Sequence, residues 1–179
     1  LRNLVNMVYS RGPLLSKASG GNFRVEKELA ERLRDDACTA TVQTFLKALA
    51  DYMEAHGGME GLQITEQQIS FTGFPVPADQ PHADAFLQLA AMMNAMALSQ
   101  KRIQAKEVST DNEKYAFRIW LLRLGMNGDV YKTVRKVLME NLSGHAAFRT
   151  QEEAEKAKAK NKAKREAEKA EQAAGGEES

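Results

Sequence analysis

NEKYAFRIWLLRLGMNGDVYKTVRKVLMENLSGHAAFR, residues 112 to 149, contains two amphipathic segments separated by a short turn that contains glycine. In the first segment the large apolar residues follow the i, i+3, i+4, i+7 spacing of one helical face. These residues are Phe117, Trp120, Leu121 and Leu124. Thr110 and Glu113 have the spacing of a capping box, and Gly125 is typical of a helix end, so the pattern predicts a helix between them.

The second segment predicts a shorter helix with a basic face. Asp129 is placed to cap it, and the residues expected to face inward are Val130, Val134, Val137 and Leu138. On the opposite face Lys132, Arg135 and Lys136 lie at i, i+3, i+4, and Thr133 adds a hydroxyl. Together with Arg118 and Arg123 of the first helix, these four residues form the candidate nucleic-acid contact set. Two helices joined by a short turn also match the outline of a helix-turn-helix, although any helical bundle has a polar outer face.

Most of the remaining chain also shows helical spacing. Apolar residues at the start predict a helix up to a Gly12-Pro13 break, then a second short helix that ends at Gly20-Gly21. Residues 25 to 36 predict a surface helix, and Thr39 or Thr41 can cap a following helix that ends at Gly57-Gly58.

Asp79 can cap a long helix that is predicted to run past Ile103 with a heptad-like apolar seam. That seam is compatible with a core helix or with the coiled coil of a homodimer.

Only residues 62 to 73 alternate apolar and polar residues, which predicts one small β-hairpin. The last 30 residues are rich in Ala, Glu and Lys and contain no large apolar side chain, so they cannot form a core of their own. The sequence therefore predicts a mainly α protein of the α+β type. A helical domain with the hairpin covers residues 1 to 149, and a charged tail, helical or disordered, covers residues 150 to 179.

Charge is segregated along the chain. Residues 35 to 96 carry eight acidic residues against Lys47 alone, a net charge of −7, between segments of +4 (residues 1 to 34) and +5 (residues 97 to 150). Such an acidic block can pair with a basic groove of a partner protein, or it can be a solvated surface. The candidate partner-binding residues are Asp35, Asp36, Asp51, Glu54 and Glu60.

The sequence contains no recognisable catalytic or metal-binding pattern. The three histidines fall in separate elements, and the glycine pairs fit neither a phosphate-binding loop nor a nucleophile elbow. We therefore expect no enzyme activity, no metal and no cofactor. The single cysteine, Cys38, favours a reducing compartment, and no segment has the pattern of a signal peptide or a membrane span. The sequence predicts a cytoplasmic protein without membrane contact.

Residues 111 to 149, together with LRNLVNMVYSRGPLLSKA at the start, resemble a family of small proteins from bacterial prophages and conjugative elements that are labelled virulence-related. In size and charge pattern the chain is also similar to the anti-CRISPR proteins that inhibit Cas9. This resemblance implies a non-enzymatic inhibitor that binds the Cas9 and guide RNA complex in the bacterial host and blocks target DNA binding. The alternative is a DNA-binding accessory or regulatory protein of a phage or mobile element, and non-specific DNA or RNA is a second expected partner.

Overall fold

A computed structural model describes residues 1–174, with side chains described through residue 167 except that of residue 151. Over this part of the chain the protein is mainly α, with eight helices and two antiparallel two-stranded sheets. In chain order the elements are α1 (Arg2–Ser19), β1 (Arg24–Val25), α2 (Lys27–Arg32), α3 (Asp36–Thr39), α4 (Val42–His56), β2 (Met59–Glu60), β3 (Gln63–Ile64), β4 (Ile69–Ser70), α5 (Gln80–Ser99), α6 (Glu113–Arg123), α7 (Lys132–Val137) and α8 (Gln151–Ala174). None of the described helices combines the length and apolar character needed to cross a membrane.

The first helix, α1, is the centre of the fold and is buried along most of its length. The predicted break at Gly12-Pro13 is wrong, because the helix continues through both residues to Ser19. The Pro13 ring faces solvent, while Val8 and Leu15 on either side of it are fully buried. Burial of the apolar side chains before and after Pro13 offsets the roughly 3 kcal/mol by which a proline destabilises the interior of a helix. Gly12 instead serves packing, since a Cβ at this position would lie 2.7 Å from the Phe23 carbonyl oxygen.

A polar stripe on α1 holds the extended segment between α5 and α6, residues 100 to 112. The Asn3 amide nitrogen donates to the carbonyl oxygens of Ala97 and Gln100 at 3.1 and 2.6 Å, and its side-chain oxygen accepts from the Ile103 amide at 2.8 Å. Further along the stripe, Asn6 donates to the Ile103 carbonyl oxygen and Ser10 bonds the backbone of residues 104 and 106. The bonds from Asn3 satisfy the carbonyls of Ala97 in the last turn of α5 and of Gln100 directly after it, and all the bonds hold the following residues extended. This explains why α5 ends at Ser99 and not, as predicted, beyond Ile103.

The predicted hairpin is present as β3 and β4, in which Gln63 pairs with Ser70 and Ile64 with Ile69. A second sheet, which no alternation in the sequence indicates, pairs β1 with β2. Because β1 occupies residues 24 and 25, the predicted surface helix over residues 25 to 36 is reduced to α2, followed by the separate short helix α3. The core formed by α1 and α2 with these strands includes Leu29 and Leu33, both fully buried.

The caps predicted for two long helices are confirmed. The Thr41 hydroxyl accepts from the Thr44 amide at 3.1 Å and caps α4, and the Asp79 carboxylate accepts from the His82 amide at 2.9 Å and caps α5. Helix α5 packs against both α1 and α7, so it connects the core to the C-terminal part of the domain.

The charged tail forms a helix as far as Ala174; its last five residues lie outside the described part. Thr150 and Glu153 make a capping box at the start of α8, and Lys156 pairs with Glu152 at 2.6 Å as its spacing predicts. Ala154 is almost completely buried, so the first turn of α8 contacts other parts of the protein.

Candidate nucleic-acid interface

The helix pair at residues 112 to 149 is anchored by the apolar residues that the sequence indicates. Phe117 and Leu121 of α6 are fully buried, as is Leu138 directly after α7. The cap of α6 differs from the prediction, because Asn112 and not Thr110 accepts the Tyr115 amide. The helix ends before Gly125, as predicted.

The connection between α6 and α7 is longer than predicted, and α7 is shorter. Eight residues, 124 to 131, separate Arg123 from Lys132, and α7 itself has six residues. Val130 is 88% exposed, so its predicted inward position is wrong. The predicted cap at Asp129 is also wrong, because the N-cap position of α7 is occupied by Tyr131, which makes no side-chain capping bond. A helix of about 9 Å is short for a recognition helix that must follow the major groove, so the pair departs from helix-turn-helix geometry.

The basic face of α7 consists of three exposed side chains, those of Lys132, Thr133 and Lys136. Four residues on a helix are about 40° apart, so the two lysines project from nearly the same side. Within the described part of the chain, neither lysine has a carboxylate within 4.0 Å. This face is therefore a small positive surface without internal neutralisation.

Arg135 does not belong to this outward face as the sequence predicted. Its Nη1 donates to the Met126 carbonyl oxygen at 2.6 Å, and the side chain is half-buried. Met126 itself is fully buried in the connection that follows α6. Arg135 therefore stabilises the turn between the two helices.

Arg118 and Arg123 lie on different faces of α6, since five residues on a helix are separated by about 140°. Arg118 is half-buried and Arg123 is exposed. The six predicted residues thus divide into the α7 face, Arg135 in the turn, and two arginines that point in different directions.

Sequence reasoning missed Arg11 of α1, which lies beside Arg123. Its guanidinium carbon is 5.9 Å from the centre of the Trp120 ring, and its Nε is buried without a hydrogen-bond partner in the described structure. Burial lowers the pKa of Arg11, and the positive charge of Arg123 lowers it further. No sequence signal identifies this pair, because the two residues belong to α1 and α6 and meet only in the folded protein.

The acidic candidates do not form a bare negative surface. Arg2 contacts Asp36 at 2.9 Å and lowers the pKa of that carboxyl group. Lys47 lies 3.4 Å from Asp51.

The other three acidic candidates lie on different elements. Arg24 lies 3.8 Å from Glu60, which also accepts from Asn22. Asp35 accepts from the Ala37 amide and caps α3, and Glu54 is exposed on α4. Much of the charge in the acidic block is therefore used for local pairing and capping.

A separate ionic contact joins α5 to the segment after α7. The His82 ring nitrogens lie 2.6 Å from Asp79 Oδ1 and 2.7 Å from Glu140 Oε1, and these bonds raise the pKa of His82. Among the described residues, no group of three His, Cys, Asp or Glu side chains could hold a metal ion. The contact thus has the composition of a structural ion pair.

No family model matches the chain, and neither a curated protein nor a solved structure is similar enough to count as a match. The resemblance to mobile-element proteins and anti-CRISPR proteins therefore stays a prediction.

Proposed function

We propose that this protein binds nucleic-acid phosphates without modifying them, as an accessory protein of a phage or other mobile element in the cytoplasm of its bacterial host. The observation that carries the proposal is the exposed α7 face of Lys132, Thr133 and Lys136, which has no carboxylate partner among the described side chains. Free lysines and a hydroxyl on one helical face are the groups that contact phosphate oxygens.

The arrangement supports binding without strong sequence preference. Lysine is a point charge on a flexible stem, so it attracts phosphate but does not read a base edge as a bidentate arginine does. Arg135, which could have supplied such a fork, already donates to Met126. We expect affinity to depend mainly on the number of phosphates contacted and on the salt concentration.

The test is fluorescence anisotropy of labelled duplex DNA and single-stranded RNA at several salt concentrations. The double variant Lys132→Glu/Lys136→Glu should weaken binding by roughly tenfold to a hundredfold, and the plot of log K against log salt should become shallower by about 0.9 for each B-DNA phosphate that the variant no longer neutralises. The control, Lys27→Glu/Lys47→Glu, makes the same charge change on α2 and α4 and should bind as the parent protein does, because its two lysines pair with Glu31 and Asp51.

A second arm places the same charge reversals on α8 through Lys158→Glu/Lys162→Glu, which has the same i, i+4 spacing. Loss of binding in this variant, with full binding by the α7 variant, would refute the α7 site and assign phosphate contact to the tail. Absence of any binding by the parent protein at low salt would reject the proposed function.

The second candidate function is inhibition of Cas9 by binding its complex with guide RNA. The observation that favours it is the outer surface of α4, where Glu54 is exposed without an ion-pair partner among the described side chains. The exposed Asp51, which pairs with Lys47, lies three positions before it on the same helical face. Cas9 must present basic channels to RNA and DNA, and exposed carboxylates can compete for such a surface. In this form of the proposal the α7 face would contact guide RNA phosphates.

A cleavage assay separates the two candidates. Cas9 ribonucleoprotein from several orthologues is titrated with the protein, and a non-enzymatic inhibitor should need at least about one molecule per Cas9. Asp51→Lys/Glu54→Lys should relieve inhibition while DNA retention by the α7 face is unchanged. Full cleavage by every orthologue at a large excess of the protein would reject the inhibitor hypothesis and favour the hypothesis of a nucleic-acid-binding accessory protein.

A further inference from the structure

Two adjoining cavities are lined by α1, α6 and the extended segment that joins α5 to α6, and the smaller one is also lined by residues between 144 and 150. Their volumes are about 630 and about 770 Å³, and they share four lining residues. The shared residues are Arg11, Val108, Ser109 and Arg123. Arg11 and Arg123 therefore line both cavities, together with two residues of the extended segment.

Neither arginine has a carboxylate within 4.0 Å among the described side chains. The acidic residues that line the cavities, Asp111 in the smaller and Glu107 in the larger, form no ion pair with either guanidinium. Two nearby like charges repel each other, and the repulsion is stronger where one of them is shielded from water. A bound anion would remove this repulsion.

The position of Arg11 is largely fixed in the free protein. Its guanidinium lies over the Trp120 ring, and Trp120 is almost completely buried. The preceding residue, Ser10, is tied to the extended segment by bonds to the backbone of residues 104 and 106. A planar guanidinium held in this way is well suited to bind two oxygens of a phosphate group, and binding costs little further side-chain freedom.

The surroundings of the arginine pair indicate the rest of the ligand. The smaller cavity adds Arg149, the imidazole of His145 and the hydroxyl groups of Thr110 and Thr150, all able to donate hydrogen bonds to phosphate oxygens. Polar residues such as Ser10, Gln104 and Lys106 contribute to the lining of the larger cavity, which also includes five apolar residues. The apolar residues are Met7, Met96, Ile103, Val108 and Trp120. Cationic donors beside an apolar wall fit a phosphate attached to an apolar or aromatic body.

We propose that the cleft between Arg11 and Arg123 binds a phosphate monoester with an aromatic body, the chemistry of a nucleoside monophosphate. The same group is found on a free mononucleotide and at the 5′ end of a nucleic-acid strand. The phosphate lies between the two guanidiniums, and the base enters the larger cavity. The site is separate from the lysines of α7 and does not depend on them.

The first experiment uses isothermal titration calorimetry with adenosine 5′-monophosphate, ribose 5-phosphate, inorganic phosphate and adenosine, with sodium chloride added to equal ionic strength. Adenosine 5′-monophosphate should bind most tightly, since it alone fills both parts of the cleft. Arg123→Gln should weaken its binding by about tenfold or more, the usual cost of removing a charged phosphate contact. Arg165→Gln removes one exposed guanidinium from α8 and should leave binding unchanged.

The variants are made at Arg123 because this residue is exposed and its replacement preserves the fold, whereas Arg11→Gln would disturb a half-buried position. The second variant, Arg123→Glu, should abolish binding. Equal heats for adenosine 5′-monophosphate and sodium chloride, or full binding by Arg123→Gln, would overturn the proposal. The variant Lys132→Glu/Lys136→Glu should bind adenosine 5′-monophosphate normally, which distinguishes this site from the α7 face.

The second experiment identifies the source of the phosphate. A ten-nucleotide single strand with a 5′-phosphate is compared with the same strand bearing a 5′-hydroxyl, on a background of Lys132→Glu/Lys136→Glu. A preference of about tenfold for the phosphorylated strand assigns the cleft to strand ends. Binding of adenosine 5′-monophosphate with no such preference assigns it to a free mononucleotide. A phosphorylated strand and a mononucleotide that both fail to bind refute the site.

Discussion

Replacement of Glu113 by glutamine should lower the stability of the protein at neutral pH and have less effect in acid. Glu113 is the first residue of α6, and its carboxylate joins three parts of the fold. It accepts from Lys17 Nζ of α1 at 2.7 and 2.9 Å, and from both the amide and the hydroxyl of Ser143 at 2.8 Å. The carboxylate thus connects α1, α6 and the segment after α7.

The magnitude follows from the pKa of this carboxyl group. The bond from Lys17 and then the Ser143 amide lower the pKa of Glu113 from 4.5 to about 2. At about 1.4 kcal/mol per pKa unit, the shift corresponds to an upper bound of about 3 kcal/mol. The side chain of Glu113 is 20% exposed and that of Lys17 46%. Solvent screening therefore reduces the expected loss in the glutamine variant to about 1 to 2 kcal/mol.

The sign of the pH dependence is fixed by the direction of the shift. A carboxyl group with a lowered pKa in the folded state stabilises that state above its unfolded pKa of 4.5, and the contribution is lost as pH falls toward 2. The difference between parent and Glu113→Gln should be fully present at pH 7 and less than roughly half as large at pH 3.

Urea denaturation followed by circular dichroism at both pH values provides the measurement. Glu66→Gln, at an exposed position between β3 and β4, is the matched control and should change stability by less than about 0.5 kcal/mol. A double-mutant cycle with Lys17→Met should show coupling between the two residues. A difference that is the same at pH 3 and pH 7, or no coupling with Lys17, would refute the reasoning.

Three further predictions test the core, the close approach of the segment before β1 to the segment after β4, and the histidine contact. Leu121→Ala should lower the free energy of unfolding in urea by about 2 to 5 kcal/mol because Leu121 is fully buried. The control Leu87→Ala, at an exposed position, should lower it by less than about 0.5 kcal/mol. Equal effects of the two substitutions would contradict the assigned core. Gly21→Ala should lower the free energy of unfolding by about 1 to 3 kcal/mol, because the added Cβ would overlap the Gly73 carbonyl oxygen. An unchanged urea midpoint would disprove this packing. The pKa of His82 is raised in the folded state, so its contribution to stability is fully present below the unfolded pKa of 6.5. That contribution is lost as the pH rises through the folded-state pKa. His82→Gln should therefore lower the melting temperature more at pH 5.5 than at pH 8.5, and the reverse order would exclude the contact with Asp79 and Glu140.

The proposed binding surfaces differ in how much structure they require. The α7 face needs only one exposed helix with two lysines, so its affinity should be modest and strongly salt-dependent. The cleft at Arg11 needs four separate parts of the chain to be in place, namely α1, the extended segment, α6 and residues 144 to 150. A destabilised variant such as Leu121→Ala should therefore lose the cleft's ligand binding before it loses non-specific attraction to nucleic acid.

The amino-acid sequence by itself determined the mainly α class, the hairpin at β3 and β4, and the existence of the helices α4, α5 and α6. The cap of α4 at Thr41, the cap of α5 at Asp79 and the buried face of α6 all depend on residues within four positions of one another. Side-chain caps and helical periodicity are local, so they are visible in a single sequence. The same local view correctly identified Lys132 and Lys136 as neighbours on one helical face.

Only the tertiary structure decided the features that depend on residues far apart in the chain. Asn3 bonds the backbone of Ile103 one hundred residues away, and this contact ends α5 earlier than its own periodicity would. Burial on both sides of Pro13 keeps α1 continuous. The bond from Arg135 to Met126 holds Arg135 in the turn and away from the predicted nucleic-acid contact face. Arg11 lies beside Arg123 only when α1 and α6 pack. In each case burial and long-range hydrogen bonds outweigh local preference, because a buried polar group must find its partner wherever the fold places one.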